Sequence, residues 1–322
     1  MKKFDYLEIS GSHKDVGRAI GLKFKKEIQN RVFDRQKEIS NYSEFLKRSE
    51  PYYKYAKDFF PNLVDELEAT AKAAGVCVMD YFSINNGGIS TGDHCTVAVS
   101  FNKEGTLIGH NEDWKSASSD TLYLLKATIG STTFFGLQYK VLMPGVSASV
   151  NNWGLVQCIN YLNQGSQIGV PKIFLARAVL ECKNLDEAEN LLRKTKRASG
   201  FNHILVQGRE VRNIEIAGDK LTIEKVVDRP YVHTNHYLSP DMKLLEKFHT
   251  KSSEARYERA KELIKSNMTK KEMGELLSDT KNKKYPICRE DATLGSLIFL
   301  PKNKEVYVCY GHPCGGKYLK YE

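Results

Sequence analysis

The segment Asp93-His94-Cys95-Thr96 places a thiol where an irregular, Gly-rich stretch (Asn85-Asn86-Gly87-Gly88 to Gly92) becomes the β-rich run Thr96-Val97-Ala98-Val99-Ser100-Phe101. A cysteine at the first position of a strand is open to substrate, and its thiolate is a strong nucleophile. Taken alone, the ordinary alternative is a small buried hydrophobe. A second cluster, Gly109-His110-Asn111-Glu112-Asp113-Trp114, closes the next strand. Asn102-Lys103-Glu104-Gly105 reads as the hairpin turn between them, so Asp113 returns to the sheet end that holds Cys95. Three more polar clusters follow. Asn151-Asn152-Trp153-Gly154-Leu155 precedes Cys158-Ile159-Asn160-Tyr161. His233-Thr234-Asn235-His236-Tyr237 comes directly after a strand, and Ile287-Cys288-Arg289 precedes Thr293-Leu294-Gly295-Ser296-Leu297. Each by itself fits a solvated turn or a satisfied core polar group equally well.

The elements that must position these residues alternate in blocks. After a short opening strand, residues 1–75 read as helical, with Ser12 as N-cap and Asp15 as its partner. Val16, Ile20, Phe24 and Ile28 then mark one helix face. Pro51 and Pro61 are expected to break the helical region. Strands are predicted near 96–101, 106–109, 121–129, 132–138, 146–150 and 154–159, helix over 171–194, and strands near 203–207, 211–216 and 221–227. Helices at 240–247, 253–266 and 269–277 and strands at 293–300 and 305–310 complete the chain. The strands come in hairpins, which predicts largely antiparallel sheets with helices outside, in a single domain over 1–322.

The 322 residues are 41% hydrophobic, 27% charged and 10% aromatic, an ordinary globular balance. The net charge of +9 is spread over amphipathic stretches rather than gathered in a basic arm, which argues against nucleic acid. No apolar run approaches the ~20 residues of a membrane span, and no apolar segment follows Lys2 and Lys3 as a signal peptide requires. Seven cysteines without paired or metal-type spacing argue against a disulfide scaffold and for a reducing, cytoplasmic setting. His203 and His236 form no metal pattern with any acid. Cys77, Cys158, Cys182 and Cys309 are expected in or near the core.

Taken in order, the clusters resemble the acyl-coenzyme A:6-aminopenicillanic-acid acyltransferase family of the N-terminal nucleophile (Ntn) hydrolases. The resemblance rests on Gly11-Ser12-His13-Lys14-Asp15-Val16-Gly17-Arg18 with Gly21, Cys95-Thr96, Asn111-Glu112-Asp113-Trp114, and Asn152-Trp153-Gly154-Leu155 with Asn160. It continues through Thr234-Asn235-His236, Ser252-Ser253 with Arg256, Ile287-Cys288-Arg289, Thr293 to Ser296, and Gly311-His312-Pro313-Cys314. It implies an α+β fold, the αββα four-layer sandwich of two antiparallel sheets with helices outside. It also implies a precursor that cuts itself before the cysteine into fragments 1–94 and 95–322, which stay together. The freed Cys95 then carries thiol and α-amine; the amine, with an ordinary pKa of ~7.7–8.0, accepts and returns a proton near neutral pH.

By position, Asp113 matches the family's acid, Asn235 its oxyanion-hole asparagine and Arg289 an arginine whose charge favours the thiolate. Asn160 aligns with a substrate-binding position of the bile-salt hydrolase and penicillin V acylase branch, with Asn111 and Thr96 in support. Two departures stand out. His94 precedes the cysteine where the fungal enzyme has glycine. His110 stands where the penicillin V acylase branch has an arginine, which moves the resemblance towards the acyltransferase branch. The implied activity is hydrolysis or acyl transfer on linear amides or acyl-coenzyme A thioesters, without cofactor or metal. The alternative is an uncleaved, inactive small-molecule binding protein on the same scaffold.

Overall fold

Ser12 caps the first helix reciprocally: its hydroxyl takes the Asp15 N–H, and the Asp15 carboxylate takes the Ser12 N–H at 2.8 Å. The computed structural model describes residues 2–86, 95–114, 117–163 and 167–321. Strand β1 (Asp5–Ser10) precedes α1 (His13–Lys23), α2 (Lys25–Glu38), α3 (Tyr42–Phe59), α4 (Pro61–Ala74) and α5 (Val78–Asn85). The stripe Val16, Ile20, Phe24 and Ile28 is buried throughout. It crosses a break, because the backbone leaves the helical region at Phe24 (φ −112°, ψ 30°) and α2 starts beyond it. Pro61 opens α4, where its missing N–H is not needed. Pro51 does not break the chain as expected. It lies inside the 18-residue α3, whose length tolerates one lost hydrogen bond. Gly17 and Gly21 let α1 press onto α4: a Cβ there would stand 2.1 Å from the Glu66 carbonyl oxygen and 2.3 Å from that of Thr70.

The hairpin β2 (Thr96–Asn102) and β3 (Gly105–Asp113) forms as the sequence predicts. Then come β4 (Leu122–Ile129), β5 (Thr132–Tyr139), β6 (Ala148–Asn151) and β7 (Val156–Asn160). The predicted helix over 171–194 is two helices, α6 (Lys172–Val179) and α7 (Leu185–Lys194). Next are β8 (Asn202–Gln207), β9 (Glu210–Ala217), β10 (Lys220–Val227) and β11 (Tyr231–His233). Helices α8 (Pro240–Lys243), α9 (Lys251–Leu263) and α10 (Lys270–Leu277) lead to β12 (Thr293–Leu300), β13 (Glu305–Tyr310) and β14 (Tyr318–Tyr321).

One sheet has the order β1-β4-β5-β6-β7-β8-β9-β10, the other β11-β2-β3-β12-β13-β14. Among the described strands all pairings are antiparallel but one: β1 runs parallel to β4, which the helical crossover between them permits. Side-chain period fixes the layers. Val97, Val99, Phe101 and Ile108 pack with Leu124, Phe134 and Ile204 of the other sheet, whereas Ala98 and Leu107 pack with Ala260, Met273 and Leu277 of α9 and α10. The far face of the larger sheet carries α1, α4 and α6, with Ile20, Leu67 and Phe174 in the shared core. The fold is thus α+β, with two sheets face to face and helices on both outer sides. Among the described residues, no helix is long and apolar enough to cross a membrane.

Two cysteine expectations need correction. Cys288 and Cys314 form a disulfide across a separation of 26 residues, with Cα atoms 6.2 Å apart. The β12–β13 hairpin brings the loop before it and the turn after it together, which linear spacing cannot reveal; the spacing therefore no longer speaks for a reducing compartment. Cys158, Cys182 and Cys309 are buried, but Cys77 is exposed because it sits in the turn that starts α5.

His203 on β8 yields a stability prediction. Its Nδ1 meets Gln157 Oε1 at 3.1 Å, and burial pulls its pKa down to about 3. Between ~6.5 and that value the unfolded chain takes up a proton that the folded chain refuses, so stability falls as pH drops. We expect the wild type to lose about 2 kcal/mol from this residue between pH 6.5 and 5, a loss that His203→Gln lacks. Denaturant midpoints at both pH values check it; identical pH slopes for the two proteins would refute it.

Candidate active site

Cys95 directly precedes β2, and it has φ +68°, the left-handed region that costs a non-Gly residue ~1–2 kcal/mol. It follows the parity of Val97 and Val99, so its thiol points between the sheets, while Thr96 points towards α9. The register places Thr96 opposite Asn111 and Thr293 opposite Asp113. The same alternation sends Asn111 and Asp113 to the helix side and His110 and Glu112 to the space between the sheets. The sheet end therefore has two chemically distinct faces, with the Cys95 main chain at their border.

On the helix side two buried arginines organise the site. Arg256, on α9, donates from Nη1 to the Cys95 carbonyl oxygen (2.7 Å) and to Thr96 Oγ1 (2.8 Å), and from Nη2 to Asn235 Oδ1 (2.8 Å). Arg289 donates from Nη2 to Asp113 Oδ2 at 2.9 Å. Ser252 Oγ receives both guanidinium groups, at 3.4 Å from Arg256 Nε and 3.5 Å from Arg289 Nη1. Burial works against the Asp113 carboxylate, but the charges of Arg289 and Arg256 outweigh it and hold that carboxyl below its usual range. Held at its Oδ1 by Arg256, the Asn235 amide donates from Nδ2 to the Tyr161 carbonyl oxygen at 3.2 Å.

On the inner side Cys95 shares a cavity with Glu112, Trp114, Tyr139, Val146, Ile159, Tyr161 and Phe201. Its free volume of ≈ 20 Å³ is that of about one water molecule. Glu112 accepts from Tyr139 Oη at 2.5 Å and meets His110 Nε2 at 3.0 Å. Burial, then the Glu112 and Asp113 carboxylates, push the Cys95 thiol well above its ordinary range. Arg289, expected to favour the thiolate, is paired with Asp113. The expected openness is corrected: Cys95 is only 3% exposed.

Of the sequence-predicted residues, Cys95, Thr96, Asp113, Asn235 and Arg289 fall within this one network. Asn160 ends β7 beside Tyr161, and neither polar atom of its buried side chain has a partner among the described residues. Asn111 lies apart in role: its Nδ2 donates to the carbonyl oxygens of Leu277 (2.9 Å) and Ile287 (3.3 Å), tying down the segment that carries Arg289. His94 lies outside the described residues. Sequence reasoning named Arg256 and Glu112 within the family pattern but gave them no role, and passed over Tyr139. Arg256 had a signal, a Ser252-x-x-x-Arg256 pair on one helix face; Tyr139 had none, since it sits in an unremarkable strand.

Among the described residues, two groups have metal-ligating atoms within 4.8 Å of one another: Cys95, His110 and Glu112, and Cys288, His312 and Cys314. In the first, the Glu112 oxygens already accept from Tyr139 and meet His110; in the second, the sulfurs are joined to each other.

Residues 100–314 match the family described as acyl-coenzyme A:6-aminopenicillanic acid acyl-transferase. That match begins after Cys95 and takes in Asp113, Asn235, Arg256 and Arg289. Among solved structures, penicillin V acylase from Agrobacterium tumefaciens is similar over 67% of this chain and 82% of its own, at 11% identity and a TM-score of 0.44. Two variants of the conjugated bile acid hydrolase from Clostridium perfringens are similar over 71% of this chain. They cover 97% and 96% of their own chains, at 11% and 9% identity and TM-scores of 0.48 and 0.45. No curated protein matches the sequence.

Proposed function

Because the chain belongs to the acyl-coenzyme A:6-aminopenicillanic acid acyl-transferase family, we propose that it is a self-processed cysteine enzyme of the Ntn-hydrolase type. It forms an acyl-Cys95 intermediate from linear amides or acyl-thioesters and passes the acyl group to water or to an amine. The observation that supports this best is the bridge from the Cys95 carbonyl through Arg256, Ser252 and Arg289 to Asp113, with Asn235 fixed on the same Arg256.

In the proposed processing, the Cys95 sulfur attacks the carbonyl carbon of residue 94 and the peptide nitrogen leaves as the Cys95 α-amine. Water then cleaves the thioester, giving a carboxylate on residue 94. The left-handed Cys95 backbone stores strain at that bond, which cleavage releases. In turnover the α-amine takes the thiol proton as sulfur bonds to the substrate carbonyl. The Asn235 amide donates to the resulting oxyanion, and the α-ammonium returns the proton to the leaving amine. Asp113, ionised beside Arg289, stabilises that ammonium. Asn160, whose amide has no partner among the described residues, takes a polar group of the substrate in this reading.

Mass spectrometry of intact protein tests this. A processed chain gives fragments 1–94 and 95–322, and N-acyl amide substrates leave an acyl adduct on the peptide that starts at Cys95. The raised thiol sets the pH dependence of processing: the thiolate fraction of the precursor grows about tenfold per pH unit, so cleavage accelerates from pH 6 to 8. A chain that stays whole on long incubation at pH 8 would return the protein to the binding alternative.

A further inference from the structure

Lys172 is the first residue of α6 and only 5% exposed, an uncommon place for an ammonium group. Its Nζ stands 4.3 Å from the centre of the Tyr161 ring and 4.5 Å from that of Phe201. Both rings line the cavity that contains the Cys95 thiol. Among the described residues no carboxylate lies near enough to pair with it, and burial pulls its amine down to about 7. Two ring faces compensate an ammonium only in part, by ~0.5–2 kcal/mol each. A buried cation without a counter-charge is costly, and an arriving anion would remove that cost. Glu112 and Tyr139 of the cavity are turned to each other, and Lys172, outside the lining but against its Tyr161 and Phe201 rings, sets a positive charge beside otherwise apolar and acidic walls.

We infer that Lys172 is a specificity-determining residue that selects acyl groups ending in a carboxylate, with the acyl chain running from Cys95 past Tyr161 and Phe201 to its ammonium. This rests on the acyl-Cys95 reading for the position of the scissile carbonyl. The ≈ 20 Å³ of free space requires the cavity walls to part for such a chain. A diacid chain gains a charge-assisted hydrogen bond on arrival, whereas a monoacid chain of equal length strands the ammonium in apolar surroundings.

The test pairs glutaryl with pentanoyl amides of 4-nitroaniline, and free glutarate with uncharged pentanamide by titration calorimetry. The processed wild type should turn over the glutaryl amide with kcat/KM about 10–100-fold above the pentanoyl amide, the range one charge-assisted hydrogen bond gives. Lys172→Met, which keeps the apolar stem, should remove that preference and leave the pentanoyl rate within about threefold. Calorimetry should show glutarate bound by the wild type, pentanamide not, and neither by Lys172→Met. Because the two compounds are compared on the wild type, the result stands even if the variant fails to fold. Equal or better use of the pentanoyl compounds by the wild type overturns the inference. So does an equal loss on both amides in a folded, processed Lys172→Met. Lys172-dependent glutarate binding with no turnover of either amide would uphold the anion site and overturn the acyl-enzyme reading instead.

Discussion

Cys95→Ala is expected to leave a single full-length chain that neither cleaves itself nor carries an acyl group. The substitution removes the sulfur and nothing else from a side chain that is 3% exposed, so the fold should persist. The two proposed chemistries disappear together, because one atom serves both: without the thiol there is no thioester at residue 94, and without cleavage the Cys95 nitrogen stays an amide with no basicity. Losing a nucleophile that works as a unit with its base lowers turnover by at least about 10⁴-fold. The two effects can be separated on the processed wild type. Iodoacetamide should abolish activity there with the α-amine already free, and the alkylated peptide should begin at residue 95. A Cys95→Ala protein that is cleaved or turns over acyl amides would refute the nucleophile assignment. Blocked processing with activity intact would confine Cys95 to maturation.

Arg256→Met should reduce turnover of the processed enzyme by about 10²–10³, the cost of one oxyanion donor, although Arg256 is not assigned to touch the substrate. It is a positioning residue. Its Nη2 holds Asn235 by the oxygen of its amide, which leaves the Asn235 NH₂ group aimed at the site. Without that anchor the amide can rotate. Arg256→Met also strands the Cys95 carbonyl and Asn235 Oδ1, two buried acceptors that cost ~1–3 kcal/mol each when unpaired, so the melting temperature should fall as well. Stability alone does not identify the role, whereas a double-mutant cycle does. If Arg256 acts through Asn235, Arg256→Met combined with Asn235→Ala should be no slower than Asn235→Ala alone. Additive losses would show that Arg256 acts by another route. Processing should slow too, since Arg256 also fixes the Cys95 main chain.

The local elements were legible because their causes are local. Ser12 and Asp15 cap a helix three residues apart, and Asn102 to Gly105 closes the β2–β3 hairpin without distant help. Strand alternation from Thr96 onward even sorts residues by face once the hairpin is known. What was misread depended on distant partners. Pro51 was taken for a break because sequence shows the missing donor but not the helix length that tolerates it. The strands β11 and β14 are short and gain their place only by pairing with β2 and β13. The Cys288–Cys314 bond joins segments that only the folded hairpin makes neighbours.

By itself, then, the sequence determined residue types, short-range order and a family resemblance, since hydrogen bonds to near neighbours and side-chain period need no tertiary information. Electrostatics at the site was decided by the tertiary structure alone. Whether Arg289 sharpens the Cys95 thiol or neutralises Asp113, whether Glu112 faces sulfur or solvent, and whether Lys172 has a counter-charge all depend on distances of a few ångströms between segments far apart in the chain. Charge–charge energy inside a protein changes steeply over those distances and with the exclusion of water, and the linear order of residues carries neither quantity.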